Sequence, residues 1–435
     1  MKTLRKVLAA LLIVVLILPA IQQFTGFPKV RGLKGYFTMP PKPAFSFSGF
    51  YKGTYQDSLN NWVEHHIGFR PDLVRIYNQL RYSLFDTITA QSVVRGKHGF
   101  LYEINYIKAL YGLDFVGHDK VQQHAGQLAD ISDWLRARNK HLLVMLAPGK
   151  ASFYPEHVPD MFNIPENITR NDFAYAQALT DRGVTVIQGN PWFSAMRDTS
   201  RYALFPKSGI HWSYYGMALA FDSLISTMEY VSGRKWLDFS IKSIEVSRRL
   251  RSPDRDLWEG LNILVPPNDF AMPYPDLSFI KTGPAPKVMV VGDSYYWQWF
   301  GSGYATEAFG EHAFWYYNEQ IYPGNGSKPV ERRNVDLLLR VLETDFIIIL
   351  LTDANMYRFG FGFVEQLDEA IKQQQSLTPE DLQSLEQIIA GIRSSQDWMK
   401  VIIQKATERN ISEDEMLRLD AMWVLENNKQ QKRNE

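Results

Sequence analysis

The chain has 435 residues, 45% of them apolar, and 47 basic residues balance 47 acidic ones, so its formal net charge is zero. This length allows one large core with additions. A neutral chain with no basic run in its middle gives no electrostatic reason to bind nucleic acid. The absence of cysteine excludes disulfides, thiol nucleophiles and cysteine-ligated zinc.

The N-terminus has the pattern of an export signal. Lys2, Arg5 and Lys6 are followed by an uncharged run, residues 7–21. The run is shorter than the roughly 20 residues of a full membrane span, and no clean small-residue cleavage site follows it. We therefore predict that residues 1–27 are a signal anchor or a cleaved signal peptide. The body of the protein is then expected in the periplasm, or otherwise outside the cytoplasm, anchored to the inner membrane.

Residues 28–89 are predicted to form a spacer followed by short helices. Prolines, glycines and serines are frequent in residues 28–55, which favours an extended segment. Helical spacing of apolar residues follows in residues 56–86, with a break at Gly68 and Pro71. The sequence therefore predicts two short helices after the spacer.

The segment 90–375 alternates buried strands with helices and is predicted to be the catalytic domain. Its apolar strand candidates, after a hairpin at 96–103, are residues 141–150, 184–190, 287–294 and 345–355, and its helix candidates are residues 119–140, 171–183 and 214–231. Continuous apolar strands separated by helices are typical of a parallel sheet covered on both faces. Catalytic groups in such sheets lie where the strands end. Residues 376–435 show helix-capping patterns instead and predict a small helical C-terminal appendage.

Ser294 stands in "KVMVVGDSYYWQWF", directly after a predicted buried strand. Serine is a weak nucleophile until a base takes its proton and the backbone exposes its oxygen. A sharp strand-to-helix turn meets the second need, and the free N–H groups at the helix start can stabilise an oxyanion. The alternative is a Gly-Asp-Ser turn that serves packing alone.

His211 is the candidate base among nine histidines. It lies in "FPKSGIHWSYYGMALA", a glycine-containing loop that runs into a predicted helix. Trp212 is expected to fix the imidazole by packing, and Ser213 to cap the helix.

The pair "GIHWSYYG" and "VVGDSYY" resembles the SGNH-hydrolase-like O-acetyltransferases of bacterial exopolysaccharides, typified by the alginate O-acetyltransferases. In that family the histidine motif precedes the serine motif, as His211 precedes Ser294 here. "GKHGFLYE" and "LAPGKASFYPEHVP" also resemble family segments, and the resemblance covers roughly residues 90–365. It implies an SGNH-hydrolase-like α/β fold: a parallel sheet with helices on both faces, circularly permuted relative to ordinary GDSL esterases.

The resemblance also implies a reaction. Ser294 would carry an acetyl group as an ester, His211 would act as base and then acid, and a polysaccharide hydroxyl would accept the acetyl group. No cofactor is implied, and the sequence shows no metal-site spacing. A membrane-bound O-acyltransferase is the implied partner that supplies acetyl groups from the cytoplasm. A carbohydrate acetylesterase of the same fold and a non-catalytic glycan-binding component of a secretion complex are the alternatives.

One position departs from the family pattern. The family places an acidic residue two positions before the histidine, and this chain has Gly209 there. An acid at that position would orient the imidazole and stabilise its charged form. Two replacements for this acid are candidates. In a Ser–His dyad, Ser208 or a backbone carbonyl would orient the imidazole, and otherwise an acid from elsewhere, such as Asp353, would do so. The third alternative is a family member that binds glycans but has lost its catalytic activity.

The remaining site candidates surround these two residues. Asn355, after the strand "FIIILL", is predicted as the side-chain donor of the oxyanion hole, although it can equally cap the next helix. Lys150 is a candidate contact for the glycan. Tyr295, Tyr296 and Trp297 are candidate walls of an acceptor groove, with core packing as the alternative.

Overall fold

The computed structural model describes residues 2–35, 38–162 and 168–434. Residues 36–37 of the predicted spacer and 163–167 of the predicted catalytic domain lie outside the described residues. The chain divides into two compact units. The first unit consists of Met1–Glu103, Lys207–Ile210 and Arg255–Asp269, and the second unit consists of Ile104–Pro206, His211–Asp254 and Phe270–Glu435.

The strands and helices are numbered in chain order. The strands are β1 Val93–Arg95, β2 Leu101–Glu103, β3 His141–Ala147, β4 Thr185–Gln188, β5 Leu237–Ser247, β6 Met272–Lys281, β7 Val288–Gly292, β8 His312–Tyr316, β9 Gln320–Pro323, β10 Val330–Glu331 and β11 Phe346–Thr352. The α-helices are α1 Lys2–Thr25, α2 Phe47–Tyr51, α3 Thr54–His66, α4 Arg70–Leu84, α5 Ile104–Leu110, α6 His118–Arg136, α7 Lys150–Phe153, α8 Asn171–Thr180, α9 Gly189–Met196, α10 Tyr214–Ser232, α11 Asp256–Leu261, α12 Tyr296–Gly301, α13 Tyr304–Ala308, α14 Leu337–Leu342, α15 Phe363–Gln375, α16 Pro379–Ser394, α17 Gln396–Arg409 and α18 Glu413–Asn434. Short 3-10 helices span Lys97–Gly99, Pro155–His157, Arg332–Asn334 and Asp353–Gly362.

A seven-stranded sheet in the order β10-β9-β8-β7-β11-β3-β4 forms the centre of the second unit. The five strands from β8 to β4 pair in parallel. Strand β9 then runs antiparallel to β8, and β10 antiparallel to β9. The predicted parallel sheet is therefore confirmed for its centre, but the complete sheet is mixed.

Strands β7 and β11 are buried along their whole length. Their apolar residues face a core that includes Leu128, Leu179 and Leu367, from α6, α8 and α15. Continuous apolar sequences form such strands because both faces of the sheet are covered. The predicted helices at 119–140, 171–183 and 214–231 are confirmed as α6, α8 and α10.

Two features of the strands were absent from the sequence prediction. Strands β5 and β6 form a separate long hairpin with an irregularity between Ile241 and Ser243. Strands β8 to β10 extend the central sheet at one edge. The first of these three, β8, ends at Tyr316, which pairs with Gly292 at the end of β7.

In the first unit, the predicted hairpin is present, but it begins before residue 96: β1 at Val93–Arg95 pairs with β2 at Leu101–Glu103. Helices α3 and α4 confirm the predicted helix pair, with the break at Ile67–Phe69. Helix α1 is long and apolar enough to cross a membrane: residues Thr3–Thr25 contain a window of mean hydropathy 2.5, none of it buried. At 1.5 Å per residue, its 24 residues extend about 36 Å.

The C-terminal helices α16, α17 and α18 confirm the helical character of the predicted appendage. Helix α16 begins with a capping box, in which Thr378 and Asp381 each bond the other's backbone N–H. The three helices share a small core that includes Ile392, Ile402 and Met416. The predicted domain boundaries themselves remain predictions.

Candidate active site

Ser294 follows the carboxyl end of β7 directly, in a tight turn before α12. The last residue of the strand, Gly292, has no room for a side chain, because a Cβ there would lie 2.8 Å from the carbonyl oxygen of Leu350 in β11. Such a contact is too short for a side chain. The glycine thus allows β7 and β11 to pair closely up to the turn, and Ser294 is partly exposed beyond it.

Asp293 fixes the turn from inside the protein. Its side chain is fully buried. Its Oδ1 accepts the N–H of Tyr295 at 3.0 Å, and its Oδ2 accepts the N–H and hydroxyl of Thr352, both at 2.8 Å. These bonds tie the end of β7 to the end of β11. Asp293 therefore holds the backbone on either side of Ser294 in place.

His211 meets Ser294 at this edge of the sheet. The distance from His211 Nε2 to Ser294 Oγ is 3.3 Å. This is at the long end of hydrogen-bond reach, which is common for catalytic pairs before substrate binds. The ring of Tyr295 lies against the imidazole, with the centroids 4.8 Å apart. The structure thus brings the predicted nucleophile and base together.

The residues after His211 are rigidly held. Trp212 is fully buried and packs against Tyr295 and Trp299, with centroids 5.0 and 5.3 Å away. Ser213 caps α10 as predicted, since its Oγ accepts the N–H of Gly216 at 3.0 Å. These contacts fix the backbone that carries the imidazole.

The loop before His211 is anchored within the first unit. Ser208 donates both its N–H and its hydroxyl to Asp269. Ile210 donates its N–H to Asp256 Oδ1 at 2.9 Å. Gly209, between them, carries no carboxylate at the position where the family has its acid. Sequence reasoning found Ser208 but missed both aspartates, because they are 46 and 61 residues away from their partners.

Asp353 lies in a buried network where β3 and β11 end. The hydroxyl of Ser152 donates to its carboxylate at 2.7 Å, the N–H of Ala354 at 2.8 Å, and the side-chain amide of Asn190 at 3.4 Å. Burial removes the carboxylate from water and raises the pKa of Asp353 to about 7. A Cβ on Gly149 would collide with this carboxylate, so the glycine makes room for it.

Asn355 supports Asp293 in this structure. Its side-chain amide donates to Asp293 Oδ2 at 2.9 Å and to Thr352 Oγ1 at 3.3 Å. The amide predicted for the oxyanion hole is thus engaged with the acid that shapes the turn.

Three predicted substrate contacts are in the interior. Lys150, Tyr295 and Tyr296 each have 0% of their surface exposed, so they offer no surface to a glycan. Burial also raises the pKa of Tyr296, which keeps its phenol neutral. The predicted glycan contact of Lys150 and the predicted groove walls Tyr295 and Tyr296 are therefore not supported, and for the two tyrosines the alternative of core packing applies. Trp297 remains partly exposed.

Trp297 belongs to a group of rings that the sequence analysis missed. Together with Tyr316, Tyr317 and Tyr322, all partly exposed, it forms what we call the aromatic shelf. The run "FWYYNEQIYP" at residues 314–323 was the available signal. Within the residues that the structure describes, no group of three or more metal-binding side chains is arranged to hold an ion.

Comparison with known proteins bears out the predicted resemblance. Residues 93–247 match the family model of the SGNH hydrolase-like domain of the acetyltransferase AlgX. The fold is SGNH-like, of the α/β class, with a mixed central sheet and added N- and C-terminal helices. His211 lies inside the matched segment and Ser294 follows it.

Several solved structures are similar at low identity. The O-acetyltransferase domain of Pseudomonas putida AlgJ is 14% identical, with 64% of this chain and 99% of that chain covered and a TM-score of 0.41. Pseudomonas aeruginosa AlgX is 12% identical, with 66% and 69% covered and a TM-score of 0.40. Bacillus cereus PatB1 is 10% identical, with 57% and 93% covered and a TM-score of 0.36. None of the curated proteins compared with this chain matches it.

Proposed function

We propose that this protein is an O-acetyltransferase that transfers acetyl groups through Ser294 to hydroxyls of a polysaccharide outside the cytoplasm. The observation that carries the proposal is the 3.3 Å approach of His211 Nε2 to Ser294 Oγ at the carboxyl end of β7. The match of residues 93–247 to an acetyltransferase family supports the proposal that the group transferred is an acetyl group.

The first half-reaction acetylates the enzyme. His211 takes the proton of the Ser294 hydroxyl while Oγ attacks the carbonyl carbon of the acetyl donor. The tetrahedral intermediate then collapses, the bond to the donor's leaving group breaks, and the imidazolium returns its proton to that group. The product is an acetyl ester on Ser294.

The second half-reaction is the reverse with a new acceptor. A sugar hydroxyl gives its proton to His211 and attacks the ester, and Ser294 leaves with the proton that His211 returns. The imidazolium forms twice, and the ring of Tyr295, 4.8 Å from the imidazole, offers it an aromatic neighbour. Position 209 carries glycine in place of the family's acid, so the proposal assigns the chemistry to Ser294 and His211 alone and leaves the group that orients the imidazole unassigned.

Helix α1 is proposed as the membrane anchor, since its length and hydropathy suit a span. The body would then lie in the periplasm, where acetyl-CoA is absent. A membrane-bound O-acyltransferase is the proposed partner that delivers acetyl groups to Ser294. The acceptor is a cell-surface or secreted polysaccharide.

The test uses the full chain, purified in detergent, with p-nitrophenyl acetate as donor. Wild-type protein is expected to release p-nitrophenol and to carry an acetyl group on the peptide that contains Ser294. Ser294→Ala should lower the rate by about a thousandfold or more. Ser327→Ala is the matched control, because Ser327 lies in an exposed loop.

The outcomes separate the three readings. Acetylated oligosaccharide in the product mixture supports the transferase. Ser294-dependent hydrolysis with water as the only acceptor, across glycans of different composition, would indicate the carbohydrate acetylesterase. Equal rates for wild type and Ser294→Ala would contradict both enzymatic functions and favour a glycan-binding component.

A further inference from the structure

We propose that the aromatic shelf and the polar cleft beside it form the acceptor site and bind an uncharged pyranose of the polysaccharide. This inference rests on the proposed function, because the shelf begins next to Ser294. The N–H of Trp297 donates to the carbonyl of Ser294 at 3.2 Å, and the N–H of Tyr317 donates to the carbonyl of Gly292 at 2.9 Å. A sugar on the shelf would therefore lie within reach of the acetyl ester.

The shelf has the geometry of a surface for stacking. Trp297 packs edge-on against Tyr322 and Tyr316, with centroids 4.6 and 5.5 Å apart. Tyr316 and Tyr317 lie 4.4 Å apart. These contacts lock the rings against one another, while each ring keeps part of its surface open. Rigid aromatic side chains with a polar tip suit a ligand that has both C–H faces and hydroxyls.

The cleft continues from the shelf in the turn after β8. It encloses about 620 Å³, and its lining includes the amides of Asn318, Gln320 and Gln366. That volume is within the range of about 300–1,000 Å³ found for ligand sites. Side-chain amides both donate and accept hydrogen bonds, as a sugar hydroxyl does. The lining thus matches a polyhydroxylated ligand.

Within the part of the chain that the structure describes, two buried polar atoms in the cleft lining have no hydrogen-bond partner. Asn318 is only 6% exposed, and its Nδ2 donates to Phe361 and to Gln366, yet its Oδ1 accepts no bond. Arg332 Nε is likewise unpartnered. Unpartnered buried polar groups cost free energy and call for an explanation. Because Gln366 is exposed, its amide can turn from Asn318 Nδ2 to one ligand hydroxyl and leave Asn318 open to a second one.

The turn that links shelf and cleft is held in an unfavourable conformation. Tyr317 and Asn318 have φ values of 49° and 53°. This left-handed region is tolerated by asparagine and disfavoured for a bulky residue such as tyrosine. Such residues concentrate at ligand sites, where the surrounding structure holds them. Here the strained turn joins Tyr317 of the shelf to Asn318 of the cleft.

The charges of the cleft favour a neutral sugar. The lining carries Arg332 and Arg333 with Glu319 and Glu331. Glu319 also pairs with Arg358 at 3.8 Å, and the charge of Asp336 acts on Arg332, so each charged group of the lining has an opposite charge beside it. Arg333 pairs with Glu331 at 2.6 Å. The negative charge of a uronic acid would therefore gain no net electrostatic attraction in this cleft. An uncharged hexose does not depend on such an attraction for its binding.

The experiment measures binding and transfer with neutral and anionic hexasaccharides. Ser294→Ala of the full chain is titrated with β-1,4-glucan, β-1,3-glucan, β-1,4-mannan and polyuronate hexasaccharides. Acetyl transfer by the active protein, and its KM for the acceptor, are measured with p-nitrophenyl acetate as donor. Tyr322→Ala and Gln366→Ala alter the shelf and the cleft, and Gln375→Ala is the control on an exposed position of the same helix, α15.

A neutral hexasaccharide is expected to bind at least about tenfold more tightly than the polyuronate. Tyr322→Ala and Gln366→Ala are expected to raise the acceptor KM about tenfold, or about 1.4 kcal/mol of binding, and Gln375→Ala to leave it unchanged. The ratio of transfer to hydrolysis should fall accordingly, with unchanged melting temperatures. Tighter binding of the polyuronate, no saturable binding of any neutral hexasaccharide, or equal KM values in all variants would overturn the inference. Ser294-dependent hydrolysis would still stand in each case, so this failure differs from failure of the proposed function.

Discussion

Nε2 of His211 lies 3.3 Å from Oγ of Ser294, although 83 positions separate the two residues in the sequence. Each side chain is held by its own loop: Asp293 ties the serine turn to β11, and Ser213 fixes the start of α10 behind the histidine. The approach of the two side chains therefore depends on the backbone around them as well as on the side chains themselves.

The ring of Tyr295 is expected to position His211. Tyr295→Phe keeps the ring against the imidazole and should retain most of kcat for p-nitrophenyl acetate. Tyr295→Leu removes the aromatic face, which lies 4.8 Å from the imidazole, and should lower kcat about 10- to 100-fold with little change in KM. Equal kcat values for the two variants would show that the aromatic ring has no role beyond filling space.

Asp256 is expected to act through the loop that leads into His211. Asp256→Ala removes the acceptor of the Ile210 N–H, and kcat should fall by about tenfold or more with KM nearly unchanged. Asp256→Asn retains an acceptor oxygen and should be less impaired. An Asp256→Asn variant as inactive as Asp256→Ala would contradict this and show that the loop requires the negative charge itself.

Asp353 is expected to make stability depend on pH. Its pKa is raised from the ordinary value of 3.8 to about 7 in the folded protein, so the folded state binds a proton more tightly than the unfolded state. The free energy of unfolding should therefore decrease as pH rises from about 4 to 7, by up to about 1.4 kcal/mol per pH unit. Urea unfolding at several pH values measures this slope.

Asp353→Asn provides the comparison for that slope. An asparagine cannot ionise, so this contribution to the pH dependence should vanish and the curve should flatten between pH 4 and 7. A variant whose slope equals that of the wild type would show that Asp353 does not titrate in this window. Asp198→Asn is the control, because Asp198 is exposed and lies outside the Asp353 network, and it should leave the slope unchanged.

The centre of the sheet and the catalytic pair could be predicted from the sequence because their signals are local. A strand buried on both faces must be continuously apolar, and residues 288–291 and 346–351 are. The serine motif then marks the end of β7, and the histidine motif marks the start of α10. Strands β9 and β10, the last two at one side of the sheet, carry no comparable signal, since they are short and only partly buried.

The side chains around the pair could not be predicted in the same way. Tyr296 and Trp297 are neighbours in one short helix, yet the first is fully buried and the second partly exposed. Phe314 in β8 contacts both rings, and Trp297 also contacts Tyr316 at the end of that strand, so the exposure of each ring depends on a strand outside α12. The roles of Asp256 and Asp269 likewise could not be predicted from the sequence, because no motif links these residues to the loop that they anchor.

Gly292 is expected to be essential for the pairing of β7 with β11. A Cβ at this position would lie 2.8 Å from the carbonyl oxygen of Leu350, so Gly292→Ala must push the two strands apart. The free energy of unfolding should fall by about 1–3 kcal/mol, and p-nitrophenyl acetate hydrolysis should drop because Ser294 follows two residues later. Gly301→Ala is the matched control, since a Cβ there meets nothing within 4 Å. It should leave stability unchanged or slightly higher, and a Gly292→Ala protein with wild-type stability and activity would refute the packing argument.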